Sequence, residues 1–288
     1  MEIEKLYRYD GDRNFEIGEA RPGDTGDFES KQDAQKSFDE AIETMIEEQN
    51  KLYASGKYAL LLIFQAMDAA GKDGAINHVM SGLNPQGTQV YSFKQPSSEE
   101  LRHDYLWRVN KCLPERGKIG IFNRSYYEDV LVVRVHDLVR DQNVPEEMTK
   151  DIWNKRFDQI NDYERYLHEN GIIPIKFFLD ISKDEQRKRL LDRIEDKSKN
   201  WKFSEADIKE RRYWDDYQSC YEKTINATAS KHAPWYVVPS DKKWYSRLVI
   251  ARVIAKTLKS LDLRYPELDE TQQALLGKYK KLLDGGNS

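Results

Sequence analysis

The run Leu60-Leu-Leu-Ile-Phe-Gln-Ala-Met-Asp-Ala-Ala-Gly-Lys-Asp-Gly74 narrows the possible folds more than any other part of this chain. An apolar stretch from Leu60 to Phe64 gives way to small residues around Asp68, then to Gly71, Lys72 and Gly74. Helical spacing follows at Ile76, Val79, Met80 and Leu83. A buried strand that ends in a glycine-containing turn and restarts as a helix predicts a phosphate-binding loop. Backbone N–H groups and the positive helix end would hold phosphate oxygens, and Lys72 would add a mobile charge. Ala70, Gly71, Lys72, Asp73 and Gly74 are the expected cradle. Against the pattern G-x-x-x-x-G-K-[ST], Ala66 takes the first glycine position and Asp73 replaces the hydroxyl residue. That removes the usual metal ligand and leaves Asp68 and Asp73 as the carboxylates of the loop. The bland alternative is a strand-to-helix turn of another α/β protein, since such turns are common in doubly wound sheets.

Organisation supports an α/β fold. Strands are expected at 58–64, 88–93, 118–122, 172–179 and 235–238. Helical patterns lie at 32–53, 75–83, 98–115, 126–138, 147–169, 182–195, 204–228 and 243–261. This alternation argues for a central parallel sheet of about five strands flanked by helices. Residues 1–30 read as an irregular arm, 31–275 as a single domain, and 276–288 as a tail whose end, Asp284-Gly-Gly-Asn-Ser288, is frayed.

Net charge is −4 with 33% charged residues, so no global attraction to nucleic acid or anionic membrane is implied. An anionic substrate must be met by a local basic cluster. The two cysteines, Cys112 and Cys220, suggest a reducing compartment, and the five histidines show no metal-ligand spacing. The N-terminus lacks the apolar core of a signal peptide, and no apolar run approaches membrane-spanning length. A soluble, cytoplasmic protein is expected.

The strand at 118–122 runs into Asn123-Arg-Ser-Tyr-Tyr-Glu-Asp129. Parallel strands bring their carboxyl ends to one edge, which places Asn123, Arg124, Glu128 and Asp129 beside the loop of Asp68 and Lys72. Asp68 and an acid near Asp129 could hold Mg²⁺, while Lys72 and Arg124 offset charge on a transferred group. Ser125 also reads as a helix cap. Arg108 and Arg134 lie on helices flanking this segment, either as surface residues or as groups reaching the site. Arg189, Arg193 and Lys197 recur at helical spacing, with Leu190, Leu191 and Ile194 expected to face the core. With Lys199, Lys202, Arg211 and Arg212 they form either a solvated face or a mobile lid closing cations over a polyanion. Trp201 and Phe203 would anchor that lid or stack on a base. In Ser240-Asp-Lys-Lys-Trp-Tyr-Ser-Arg247 the roles look structural, with Ser240 or Asp241 as cap and Trp244 as packing.

Four segments together resemble the polyphosphate kinase 2 family over roughly residues 30–262. They are Ala66-Met-Asp-Ala-Ala-Gly-Lys-Asp-Gly74, Phe122-Asn-Arg-Ser-Tyr-Tyr-Glu-Asp129, Lys199-Asn-Trp-Lys-Phe-Ser204 with Trp214-Asp-Asp-Tyr217, and Ala233-Pro-Trp-Tyr-Val-Val-Pro-Ser-Asp-Lys-Lys-Trp244. The resemblance implies a three-layer P-loop kinase-like fold with a helical lid at about 183–215, similar to thymidylate kinases. It implies reversible, Mg²⁺-dependent transfer between inorganic polyphosphate and nucleotides, with Mn²⁺ as an alternative metal. Carried over residue by residue, it makes Asp68, Lys72, Arg124 and Asp129 catalytic, with Asp68 and Asp129 on the metal and Glu128 as the alternative acid. Arg189, Arg193, Lys199 and Lys202 join the loop as polyphosphate contacts. Arg108, Asn123, Arg124, Glu128 and Arg134 are the expected nucleotide contacts. Many family members have Asp where this chain has Asn123, and the branch with Asn phosphorylates both AMP and ADP. Adenine nucleotides, with guanine nucleotides as a further option, and a homo-oligomer are implied on the same ground. The competing readings are an ATP-dependent nucleoside monophosphate kinase and a non-catalytic polyphosphate- or nucleotide-binding regulator.

Overall fold

The computed structural model describes residues 2–284. In chain order it contains α1 (Ile3–Leu6), β1 (Arg8–Tyr9), α2 (Lys31–Ser55), β2 (Ala59–Ala66), α3 (Lys72–Met80), β3 (Thr88–Ser92), α4 (Trp107–Asn110) and β4 (Ile119–Asn123). Then follow α5 (Val132–Val135), α6 (Ile152–Glu169), β5 (Ile172–Asp180), α7 (Lys183–Glu195), α8 (Glu205–Glu210), α9 (Trp214–Thr228), β6 (Trp235–Pro239), α10 (Lys243–Ser260) and α11 (Glu270–Leu283).

Strand β2 is buried from Ala59 to Gln65 because helices cover both faces of the sheet. Side chains alternate across a strand, so Leu60, Leu62 and Phe64 meet Met45 and Leu52 of α2, Val79 of α3 and Leu248 of α10. Leu61 and Ile63 point the other way, toward Phe122, Tyr126, Phe157, Ile160 and Ile225. The sheet runs β1-β6-β5-β2-β4-β3, and every pairing is parallel except β1 with β6. Phe64 lies level with Asn123 on one side and Phe177 on the other. This register sets the turn after β2 beside the turn after β4, and thereby positions the site.

Beneath the second turn sits a buried polar cluster. Lys176 donates to Glu164 Oε2 at 2.5 Å and to the Thr228 carbonyl at 2.7 Å. Tyr126 and Tyr127 both donate to Glu164 Oε1 at 2.8 Å. Burial pushes the Lys176 ammonium down from its ordinary value. The cluster ties the segment after β4 to α6, β5 and α9.

Several expectations need correction. The arm is irregular only in part: it contains α1 and β1, and Ile3, Tyr7 and Phe15 are buried. Tyr7 Oη meets Tyr245 Oη at 2.9 Å and Asp24 Oδ2 at 2.8 Å. A two-residue strand held by distant contacts leaves no period to read. The pattern at 98–115 yields only a 3₁₀ turn and the four-residue α4, because Asp104 Oδ1 accepts from the Leu106 N–H and starts a competing local turn. The pattern at 126–138 breaks into a 3₁₀ turn at Tyr126–Asp129 and the short α5, ended by left-handed Asp137. At 204–228, a 3₁₀ turn over Arg211–Tyr213 separates α8 from α9. The expected boundary at 275/276 falls inside α11, whose N-terminus carries a capping box of Asp269 and Gln272. Most of the expected frayed end, 285–288, lies outside the described residues. No helix among the described residues is long and apolar enough to cross a membrane.

Candidate active site

After β2 the chain turns through Ala69 and Gly71, both left-handed with φ of 63° and 99°, and enters α3 at Lys72. Gly71 suits this turn because glycine adopts positive φ without steric cost. The Lys72 ammonium donates to Asn123 Oδ1, and Asn123 Nδ2 donates to Asp73 Oδ1 at 2.7 Å. Asn123 therefore joins the two turns as a neutral hydrogen-bonding bridge. Burial, then the charge of Arg124, pushes the Lys72 ammonium down to about 8. A lysine so placed gains most when an anion arrives.

Arg124 also has a left-handed backbone, with φ of 65°, and its N–H donates to the Phe64 carbonyl at 3.1 Å. This bends the chain at the end of β4 and turns the guanidinium back over the loop. Arg124 Nη2 lies 3.3 Å from Asp68 Oδ1, and Nη1 lies 3.4 Å from Glu128 Oε2. Gln65 Nε2 donates to Glu128 Oε1 at 2.8 Å while its carbonyl oxygen accepts from the Ser125 N–H. Burial raises the Glu128 carboxyl above its ordinary value, against the lowering charges of Arg124 and Lys72. Ser125 caps the following 3₁₀ turn, as the sequence suggests, by accepting from the Tyr127 N–H.

Of the two acids left open, the structure brings Glu128 to Arg124 and Asp68, and turns Asp129 away. Asp129 Oδ1 accepts from Gln142 Nε2, and its backbone carbonyl accepts from Arg156 Nη1 at 2.7 Å. Burial raises the Asp129 carboxyl to about 6 despite the Arg156 charge. Consecutive residues on a 3₁₀ turn cannot share a direction, which separates the pair. Asp129 forms one wall of a cavity of about 510 Å³ lined also by Arg108, Tyr105, Leu106, Met148 and Arg156. Arg108 donates to the Lys94 carbonyl at 2.8 Å and lies 5.5 Å from the Phe93 ring. Arg134 packs over Trp153 at 5.4 Å, and its Nη1 is buried without a hydrogen-bond partner.

The lid cations divide. Arg189 is not a free cation. It is buried, and every guanidinium N–H is used: Nη1 on the Ala69 and Ala70 carbonyls at 3.1 and 2.8 Å, Nη2 on the Ser240 and Asp241 carbonyls at 2.7 and 3.0 Å, and Nε on Glu185 at 2.8 Å. Of the apolar residues expected to face the core, Leu190 is buried, whereas Leu191 and Ile194 are exposed and Gln186 and Arg189 point inward instead. The back of the loop offers carbonyls, which require donors rather than apolar groups. Arg193 pairs with Asp207 of α8 at 2.5 Å, and Lys199 pairs with Asp196 at 2.9 Å. Lys202 lies 4.9 Å from the Trp201 ring, and both Trp201 and Phe203 are exposed. Burial, and then the charge of Asp68, raises the Asp207 carboxyl above its ordinary value.

Sequence reasoning missed two cations. Lys243 and Arg247, on the first turns of α10, have no ion-pair partner among the described residues. A Cβ on Gly74 would stand 3.9 Å from Arg247 Nη2. Partial burial, and for Lys243 the charge of Arg189, lowers both from their ordinary values. Their signal was the stretch 240–247, read as structural. Asp241 does not cap α10; its Oδ1 accepts from the Ser182 N–H at 2.8 Å, at the start of α7. Trp244 packs against the core as expected. Asp180, at the carboxyl end of β5, is raised to about 7 by burial and by Asp241.

The protein-family model described as Polyphosphate kinase 2 matches residues 28–266. The chain is 53% identical to an ADP-polyphosphate phosphotransferase of Rhodopseudomonas palustris, over 88% of this chain and 92% of that one. It is 42% identical to an AMP/ADP-polyphosphate phosphotransferase of Meiothermus ruber, over 94% and 99% of the two chains. Its fold superposes on the crystal structure of polyphosphate kinase 2 from Arthrobacter aurescens TC1 with a TM-score of 0.86, at 38% identity and 96% coverage of both chains.

Proposed function

The chain belongs to the polyphosphate kinase 2 family, and on that premise we propose that it moves phosphoryl groups from inorganic polyphosphate to both nucleoside diphosphates and monophosphates, reversibly and with Mg²⁺. The observation that carries this reading is the meeting of two turns at the ends of adjacent parallel strands. One supplies Asp68, Lys72 and Asp73, the other Asn123, Arg124 and Glu128. Phosphoryl transfer needs positioning and charge stabilisation rather than covalent help from protein. The loop N–H groups and Lys72 hold the donor phosphate, and Arg124 faces charge that grows on the transferred group. Lys243 and Arg247 continue the cationic path for a chain that extends beyond the loop. The cavity beside Asp129 and Arg108 has the size expected of a small-molecule site, about 300–1,000 Å³, and is assigned to the acceptor nucleoside.

Mg²⁺ usually binds through one or two carboxylates together with substrate phosphates. Asp68, with Glu128 behind the same guanidinium, fits that donor set, whereas Asp129 faces away. Among the described residues no cluster of three or more metal-ligating side chains exists, and this mode needs none. When bound, the ion would offset negative charge on the phosphates.

Incubating the protein with Mg²⁺ and long-chain polyphosphate, with AMP or ADP as acceptor, tests the proposal. ADP and ATP are the expected products. Product from ATP plus AMP, with none from polyphosphate, would establish the monophosphate-kinase reading instead.

A further inference from the structure

A phosphate loop works only if its N–H groups face the ligand, which turns its carbonyls back into the protein. Those carbonyls must find donors there. In this chain the donors come from the inner face of α7. Gln186 Nε2 takes the Asp68 carbonyl at 3.0 Å, and Arg189 takes the next two, Ala69 and Ala70. Three successive carbonyls of the loop are thus held by two side chains one helical turn apart. The other arm of Arg189 grips the Ser240 and Asp241 carbonyls, in the turn leading to Lys243 and Arg247. One guanidinium therefore fixes the loop relative to the cationic turn. Arg211, at the far end of the lid after α8, donates to Gln186 Oε1 at 2.7 Å and to the Lys183 carbonyl at 2.8 Å.

We propose that Gln186 and Arg189 are positioning residues that aim the loop N–H groups at the transferred phosphate, and that Gln186 links the lid to the loop through Arg211. Neither side chain touches the donor. This inference rests on the reading above that loop 68–74 holds the phosphate.

The test compares wild type, Arg189→Ala, Arg189→Lys and Gln186→Glu, with Lys188→Ala on the exposed face of α7 as control. ATP formation from ADP is measured with long-chain polyphosphate and with tripolyphosphate, and thermal melting checks folding. Arg189→Ala is expected to lower kcat about a hundredfold, the cost of a misplacement near 1 Å. KM for long polyphosphate should change far less, and the loss should be the same for both donors. Millimolar guanidinium should restore part of kcat. Arg189→Lys should recover little, because one ammonium cannot fill a planar fork. Gln186→Glu keeps a partner for Arg211 but sets a carboxylate against the Asp68 carbonyl, so kcat should fall in a folded protein. A loss carried by donor KM and growing with chain length would overturn the proposal by placing Arg189 on the substrate. Wild-type kinetics in folded Arg189→Ala or Gln186→Glu would overturn it as well. Should Arg189→Ala fail to fold, Arg189→Lys and Gln186→Glu decide. Absence of product from wild type itself would count against the proposed function and not against the brace.

Discussion

Lys72 offers a perturbation whose size follows from its surroundings. Burial and Arg124 lower its ammonium from 10.5 to about 8, a cost of about 3 kcal/mol for holding the charge in the free protein. Donor phosphate oxygens return that stabilisation, so Lys72→Ala should lower kcat/KM for polyphosphate by somewhat over a hundredfold. The sign with pH is fixed. Below about 8 Lys72 is a cation and binds the donor; above it the free protein loses the proton, and kcat/KM should fall about tenfold per pH unit. At saturating donor the anion holds the proton on, so kcat should stay nearly flat over the same range. Lys72→Arg keeps its charge and should abolish the alkaline fall, whatever its absolute rate. A luciferase-coupled assay of ATP formation from pH 6.5 to 9.5 reads all of this. Parallel alkaline limbs in wild type and Lys72→Arg would refute the reasoning, because the titrating group would then lie elsewhere.

Glu128→Gln should raise the Mg²⁺ concentration needed for half-maximal rate, whereas Asp129→Asn should chiefly raise KM for the nucleotide; the reverse assignment would return the metal to Asp129. Neutralising Lys243 and Arg247 together should raise KM for long polyphosphate by about a hundredfold or more, at about 1.5–3 kcal/mol per charged contact, and should reduce the inhibition by salt. An unchanged donor KM would remove these residues from the polyphosphate path. Lys176→Met leaves Glu164 uncompensated beneath the site and should cost about 3–5 kcal/mol of stability in denaturant melts. A loss under about 1 kcal/mol would mean that the cluster is not the anchor described above.

The parts of this fold written in local pattern were legible. The apolar run of β2, giving way to small residues and Asp68, marked the loop, and alternation of strands and helices marked the sheet. The parallel order explains why Asn123 and Arg124 could be placed beside Lys72 without a structure. What stayed hidden depends on direction rather than position. Glu128 and Asp129 are neighbours in sequence, and only the 3₁₀ turn after Ser125 decides which one meets Arg124. Arg189 carries the same charge as Arg193, yet faces a row of carbonyls that no periodicity announces. Arg247 looked like an ordinary helix residue because its neighbour, Gly74 of the loop, is distant in sequence. The strand within the arm was not legible, since β1 is held by pairing with β6 near the other end of the chain.

The most direct test follows the phosphorus. Polyphosphate labelled with ³²P is mixed with ADP and Mg²⁺, and the nucleotides are separated after single and multiple turnovers. The account predicts label in the γ-phosphate of ATP, none bound covalently to protein, and loss of the labelled product in both Lys72→Ala and Arg124→Ala. Labelled ATP formed at the wild-type rate by folded Lys72→Ala, or label trapped on a side chain, would contradict it.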